Sequence, residues 1–150
     1  MTNNIVYKLK TANEEDIRFH LNDCSDSFIP SLNSRVNIEE YSNKIAERAV
    51  TFEAWSNGML IGLIATYFNF EAQFGYITSV SVSKKFMGAG IASELLKRCI
   101  SYANTNMLKE IKLEVYKENI PAINFYKKYN FTQNEIKNDS MFMSLTLNNY

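Results

Sequence analysis

The spacing of apolar positions along the chain changes period repeatedly, and each change marks an element. Residues 5–9 (IVYKL) read as a short strand. In residues 13–22 (NEEDIRFHLN), Ile17 and Leu21 stand four apart behind an acidic first turn, and Asn13 is suited to cap a helix there. The pattern breaks at FIPSLNSR, where Pro, Ser and Asn favour a loop. It resumes over residues 37–48, with Ile38, Tyr41 and Ile45 on one helical side.

Two extended runs follow, AVTFEAW and MLIGLIATYFNF, on either side of Ser56-Asn57-Gly58. Asn-Gly between such runs is a strong hairpin signal. After a turn at residues 71–73 comes a third strand, FGYITSVSV. Residues 90–105 then read as a helix with Ile91, Leu95, Cys99 and Tyr102 on one flank, so Cys99 is expected in the core. Residues 111–116 (IKLEVY) form a strand and 120–129 a helix, which Asn130 can end in the left-handed conformation. The alternation of MFMSLTL predicts a closing strand. The order β α α β β β α β α β β implies an α/β domain around one mixed sheet. Its uninterrupted middle strands are antiparallel, and a right-handed crossover over 76–116 is parallel.

Length and composition narrow the class. A chain of 150 residues is expected to be one domain, and 46% hydrophobic with 21% charged residues fits an ordered globule. The formal net charge of +0 predicts no overall attraction to nucleic acid or to an anionic membrane, so any anion site must be local. Cys24 and Cys99 are too few and too distant for a disulfide framework or a metal site. With no signal-like start and no run of about 18 apolar residues, the expectation is a soluble cytoplasmic protein.

The chemistry concentrates in VSVSKKFMGAGIASELLKR, residues 80–98. Two of the chain's five glycines, Gly88 and Gly90, stand between a strand and a helix. Without a Cβ they permit positive φ and close approach of a ligand. Successive N–H groups in such a turn, with the positive end of the following helix, suit a pyrophosphate. Lys84 and Lys85 would screen its charge. A tight turn with a solvated lysine edge explains the same residues. A triphosphatase loop, GxxxxGK[ST], is absent, and GxGxxG fails at Ser93. A dinucleotide fold would also place the motif nearer the start of its strands; in that reading Glu114 or Glu118 would hold a ribose.

Lys85-Phe86-Met87-Gly88-Ala89-Gly90 resembles the [Q/R]-x-x-G-x-[G/A] motif of the GNAT superfamily of acyl-CoA-dependent N-acyltransferases, with Lys in place of Gln or Arg. Residues 118–131 (ENIPAINFYKKYNF) resemble the family's N-x-x-A-x-x-x-Y-x-x-x-G-F segment, with Asn130 in place of Gly. The resemblance implies a mixed, mostly antiparallel sheet of seven strands with four helices and a V-shaped split in its middle. It implies acetyl-CoA as cosubstrate, no metal, and a small-molecule amine acceptor, while it admits a homodimer without requiring one. Val80 and Val82 inherit backbone contacts to the pantetheine arm and thioester. The amides of residues 87–92, which include Met87, Gly88, Ala89, Gly90, Ile91 and Ala92, inherit the pyrophosphate. Lys85 and Asn119 complete the cofactor set.

For acetyl transfer, Tyr126 is the expected proton donor to the departing thiolate. The base is open, since Thr78 and Ser79 stand where many relatives carry acids. Glu53 among aromatic residues, Glu71, a water chain on Thr78 and Ser79, or an amine arriving neutral each supply the need. Glu53 is the assigned catalytic carboxylate. The lone His20 reads as a surface residue. Residues 20–41, which include Asp23, Asp26, Phe28, Arg35 and Tyr41, are expected to select a small polar amine such as an amino sugar or sugar nucleotide. A non-catalytic module that binds CoA or another ligand is the alternative.

Overall fold

Local signals account for the elements of the computed structural model, which describes residues 4–147. Helix α1 (Glu14–Cys24) starts on a reciprocal cap: the Asp16 amide donates to Asn13 at 2.8 Å and the Asn13 amide donates to Asp16 at 3.0 Å. Asn37 caps α2 (Ile38–Arg48) by accepting from the Glu40 amide. Strand β1 (Val6–Leu9) precedes them. Strands β2 (Val50–Ser56) and β3 (Met59–Asn69) join through Asn57 and Gly58, both at positive φ as a two-residue hairpin requires. Strand β4 (Phe74–Val82), α3 (Ile91–Thr105) and β5 (Glu110–Tyr116) form the crossover. Helix α4 (Ile120–Lys128) is followed by Asn130 at φ 71°. Strands β6 (Thr132–Lys137) and β7 (Ser140–Thr146) close the chain.

All seven strands hydrogen-bond into one sheet, in the order β1-β2-β3-β4-β5-β7-β6. Only β4 and β5 are parallel; every other pair is antiparallel. Helices cover both faces. On one, α3 and α4 pack over Ile64, Ile77, Ile111 and Leu113. On the other, Ile17, Leu21 and Ile45 of α1 and α2 pack over Leu63 and Ala65. Burial on both sides explains why β3 reads as an almost unbroken apolar run. Gly62 sets the approach of α3 to the sheet. A Cβ there would lie 2.8 Å from Ile91 Cγ2, so the first turn of α3 could not sit so close.

The middle of the sheet splits. Pairing of β4 with β5 ends at Ile77 and Leu113, although β4 continues to Val82 and β5 to Tyr116. At the same point the β3–β4 register passes from Thr66↔Ile77 to Ala65↔Ser79, which leaves Thr78 as an extra residue. This bulge bends β4 away from its parallel neighbour and shifts the facing of its side chains by one. Before it Ile77 lies on the α3 face; after it Val80 and Val82 do.

Candidate functional site

The split opens into a cleft of about 520 Å³ that brings the two sequence motifs together. Its floor is the freed part of β4. Ser83 N–H donates to the Ile61 carbonyl at 2.8 Å, and the register is continuous from there to Ser79↔Ala65. In an antiparallel ladder, residues exchanging bonds with the neighbour alternate with residues whose N–H and C=O face away. Ser79, Ser81 and Ser83 therefore bond β3, and the backbone groups of Val80 and Val82 face the gap left by β5.

The glycine turn forms one rim. Gly88 (φ 85°) and Gly90 (φ 78°) both occupy the left-handed region, and no protein atom lies within 4 Å of the position a Cβ would take at either. The first bond of α3 runs from the Glu94 amide to the Gly90 carbonyl. No hydrogen bond among the described residues engages the amides of residues 88–93, so six donors cluster at the helix start. The Met87 amide, expected to belong to this set, donates to the Lys84 carbonyl at 3.3 Å, closing a 3₁₀ turn.

Val80, Val82, Met87, Gly88, Gly90, Ile91, Ala92 and Asn119 all line the cleft. Lys85 and Ala89 do not; Lys85 is exposed in the 3₁₀ turn, and Ala89 brings an amide to the rim without lining the wall. Asn119 caps α4, accepting from the Ala122 amide at 3.4 Å. Tyr126 reaches the cleft from α4. Its ring is clasped by Phe125 and Phe131 at centroid distances of 5.5 and 5.7 Å. No described residue hydrogen-bonds its hydroxyl, and burial pushes its pKa well above the usual phenol range, so it holds its proton.

Glu53 overturns an expectation. Its side chain is fully buried and accepts from the Thr11 and Ala12 amides, the Thr11 and Thr51 hydroxyls and the Trp55 indole. Desolvation pushes its pKa up, but these donors together outweigh that and hold it below the ordinary value. It pairs on β2 with Lys8 of β1 and Leu63 of β3 and does not line the cleft. Glu53 is thus a saturated structural carboxylate that ties the segment after β1 to the sheet, and not a base poised by desolvation. Glu71 is exposed and also outside the cleft.

His20 is buried rather than superficial. Its Nε2 lies 2.8 Å from Ser81 Oγ, and desolvation pushes its pKa down to about 4. Cys24, one turn further on, forms part of the cleft wall, and burial raises its thiol to about 11. From residues 20–41, Phe28 and Arg35 line the cleft, whereas Asp23 and Asp26 do not. Tyr41 is partly buried and donates its hydroxyl to the Thr78 carbonyl at 2.6 Å.

The carboxylate that does line the cleft is Glu114. On β5 its neighbours Leu113 and Val115 pack into the α3 face, so Glu114 and Tyr116 project to the opposite one. Glu114 accepts from the Tyr76 hydroxyl at 3.4 Å. The alternation of IKLEVY already places it opposite the apolar face; where that face lies relative to the cleft depends on the split. The cleft thus carries a protonated phenol from one face of the sheet and a carboxylate from the other, with free β4 backbone between them.

Comparison with known proteins agrees with this arrangement. The Acetyltransferase (GNAT) family model matches residues 14–131. An N-alpha-acetyltransferase of Sulfolobus acidocaldarius is 37% identical over 60 residues, which cover 39% of this chain and 36% of the relative. An uncharacterized N-acetyltransferase of Methanocaldococcus jannaschii is 31% identical over 85 residues, covering 53% of this chain and 38% of the relative. The matched part thus spans little more than a third of either relative. The fold is that of the PaiA N-acetyltransferase of Thermoplasma acidophilum, solved with coenzyme A (TM-score 0.76, 15% identity, 95% of this chain and 99% of that one). It is also that of the ribosomal-protein-S18-alanine N-acetyltransferase of Escherichia coli (TM-score 0.75, 16% identity, 97% and 94%). With the family match covering most of its length, both motifs on one cleft and the split sheet between them, this chain belongs to the GNAT acetyltransferase family.

Proposed function

We propose that the protein transfers an acetyl group from acetyl-CoA to the primary amine of a small polar acceptor, by direct attack within a ternary complex. The observation that carries the reading is the array of free amides at residues 88–93 beside the free backbone of Val80 and Val82. The array suits the diphosphate of CoA, and β4 suits its extended pantetheine arm, as a strand lacking one neighbour. Acetyl-CoA supplies an activated acyl group as its thioester. A β4 N–H in the gap can donate to the thioester oxygen as negative charge develops there.

Glu114 takes the proton of the acceptor amine, directly or through one water, from the side of α1 and α2. Tyr126 gives its proton to the departing thiolate from the side of α3 and α4. The two proton transfers are thereby kept on opposite faces of the sheet. His20 is too weak a base to compete, and the Cys24 thiol is held protonated, which disfavours an acyl-enzyme route. Thiol release from acetyl-CoA, measured with amino acids, peptides, amino sugars and sugar nucleotides as acceptors, tests the proposal. Amine-dependent release supports it. A protein that binds CoA without turning over any amine would instead be a binding module of the same fold.

A further inference from the structure

Two charged side chains line the cleft among the described residues, Arg35 and Glu114. Glu114 has a role in the reaction proposed above, and Arg35 has none. Its guanidinium lies over the Phe28 ring, 5.8 Å from the centroid, and Phe28 lines the cleft with it. The ion pairs of the described residues are Arg18–Glu14, Arg98–Glu94, Lys112–Glu110 and Lys117–Asp139, so Arg35 is matched by no carboxylate. The acids of the same segment, Asp23, Asp26, Glu39 and Glu40, leave it unpaired and lie off the cleft wall.

The position fits the acceptor and not the cosubstrate. Phe28, Leu32, Val36 and Tyr41, which flank Arg35 in sequence, pack with α1 and α2 over Leu63 and Ala65. The glycine turn and α3 belong to the opposite face. Arg35 also acts electrostatically on the Tyr41 phenol, whose hydroxyl sits on Thr78 at the point of the split. The cation therefore stands on the same side as Glu114, near the reacting end of the cleft. A planar guanidinium over an aromatic ring offers a fork of donors to a planar or tetrahedral oxyanion. An acceptor with an amine alone would leave this fork facing water.

We propose, on the basis of the acetyl-transfer reading above, that Arg35 selects the acceptor. The substrate class is then an amine that also carries an oxyanion group, a carboxylate or a phosphate, with the amine toward Glu114 and the oxyanion on Arg35.

Matched probes test this: L-alanine against L-alaninamide for a carboxylate, and glucosamine 6-phosphate against glucosamine for a phosphate. For at least one pair the anionic member has the higher kcat/KM, and Arg35→Gln reduces that preference at least about tenfold through KM. The dissociation constant of CoA stays within about twofold, and Arg35→Lys restores part of the preference. Whichever pair shows the effect identifies the oxyanion. Calorimetry of the same pairs on the CoA-loaded protein reads the preference without turnover, so failed catalysis would count against acetyl transfer and not against Arg35. Equal preference for neutral and anionic members in the wild type, or an unchanged preference in Arg35→Gln, overturns the assignment.

Discussion

The Tyr41 hydroxyl holds the Thr78 carbonyl at 2.6 Å, at the one residue by which β4 outruns β3 and departs from β5. Helix α2 thus fixes the bulge that opens the cleft. Tyr41→Phe removes the bond and leaves a part-buried carbonyl short of a donor, at a cost of about 1–2 kcal/mol, or roughly 2–8 °C in Tm. The acceptor KM rises while CoA affinity holds. An unchanged Tm and KM would mean that β3 alone shapes the bulge.

Tyr126→Phe should separate chemistry from binding. The phenol hydroxyl has no bond within the described residues, so its loss costs the fold little. If it protonates the thiolate, kcat falls by about a hundredfold or more while the CoA dissociation constant stays within about twofold. Its raised pKa also means that wild-type activity does not decline through Tyr126 ionisation at ordinary alkaline pH. Unchanged kcat would remove it from the mechanism.

Glu114→Gln keeps shape and removes the proton acceptor. Stopped assays with a saturating amine should show kcat lowered by about ten- to a hundredfold, with partial recovery as pH rises and more amine arrives unprotonated. Glu53→Gln is the contrast. It lowers Tm strongly, by about 2–4 kcal/mol of stability, because an amide nitrogen must face donors that a carboxylate satisfied. Loss of activity in folded Glu53→Gln equal to that in Glu114→Gln would contradict the assignment of roles.

Acid should weaken the fold through His20 before it reaches the carboxylates. The folded-state pKa is about 4 against 6.5 for a free histidine, so between those values the unfolded chain binds a proton that the folded chain refuses. Stability is full above about pH 6.5 and declines by about 3 kcal/mol as pH falls to about 4. Glu53, whose pKa is lowered, adds a further loss below its unfolded value of 4.5. Denaturant unfolding across the window checks this, with His20→Gln expected to flatten the upper part. A wild-type curve flat from neutral to about pH 4 would contradict it.

The elements were largely legible because their signals are local. Asn13 capped as expected, Asn57-Gly58 turned the hairpin, and Asn130 took the left-handed conformation. The left-handed glycine turn was legible for the same reason, since Gly88, Gly90 and the helix start are adjacent in sequence. Glu53 was misread because three of its five donors come from Thr11 and Ala12, more than 40 residues away; only Thr51 and Trp55, two residues to either side, are local. Strand β6 carries no alternation because it is exposed throughout. Glu114 reaches the cleft only because the Thr78 bulge parts β4 from β5, and no residue type announces a bulge.

The proposed diphosphate seat is tested most directly by Gly88→Val. A valine side chain at φ 85° is strained but begins in open space, so it obstructs the ligand rather than the protein. Calorimetry uses CoA and pantetheine, which lacks the diphosphate and the phosphoadenosine beyond it; the change of their difference in Gly88→Val reports the cradle. The wild type should bind CoA at least about a hundredfold more tightly than pantetheine, and a folded Gly88→Val protein should lose most of that difference with pantetheine affinity unchanged. CoA binding by Gly88→Val as tight as by the wild type would contradict the account.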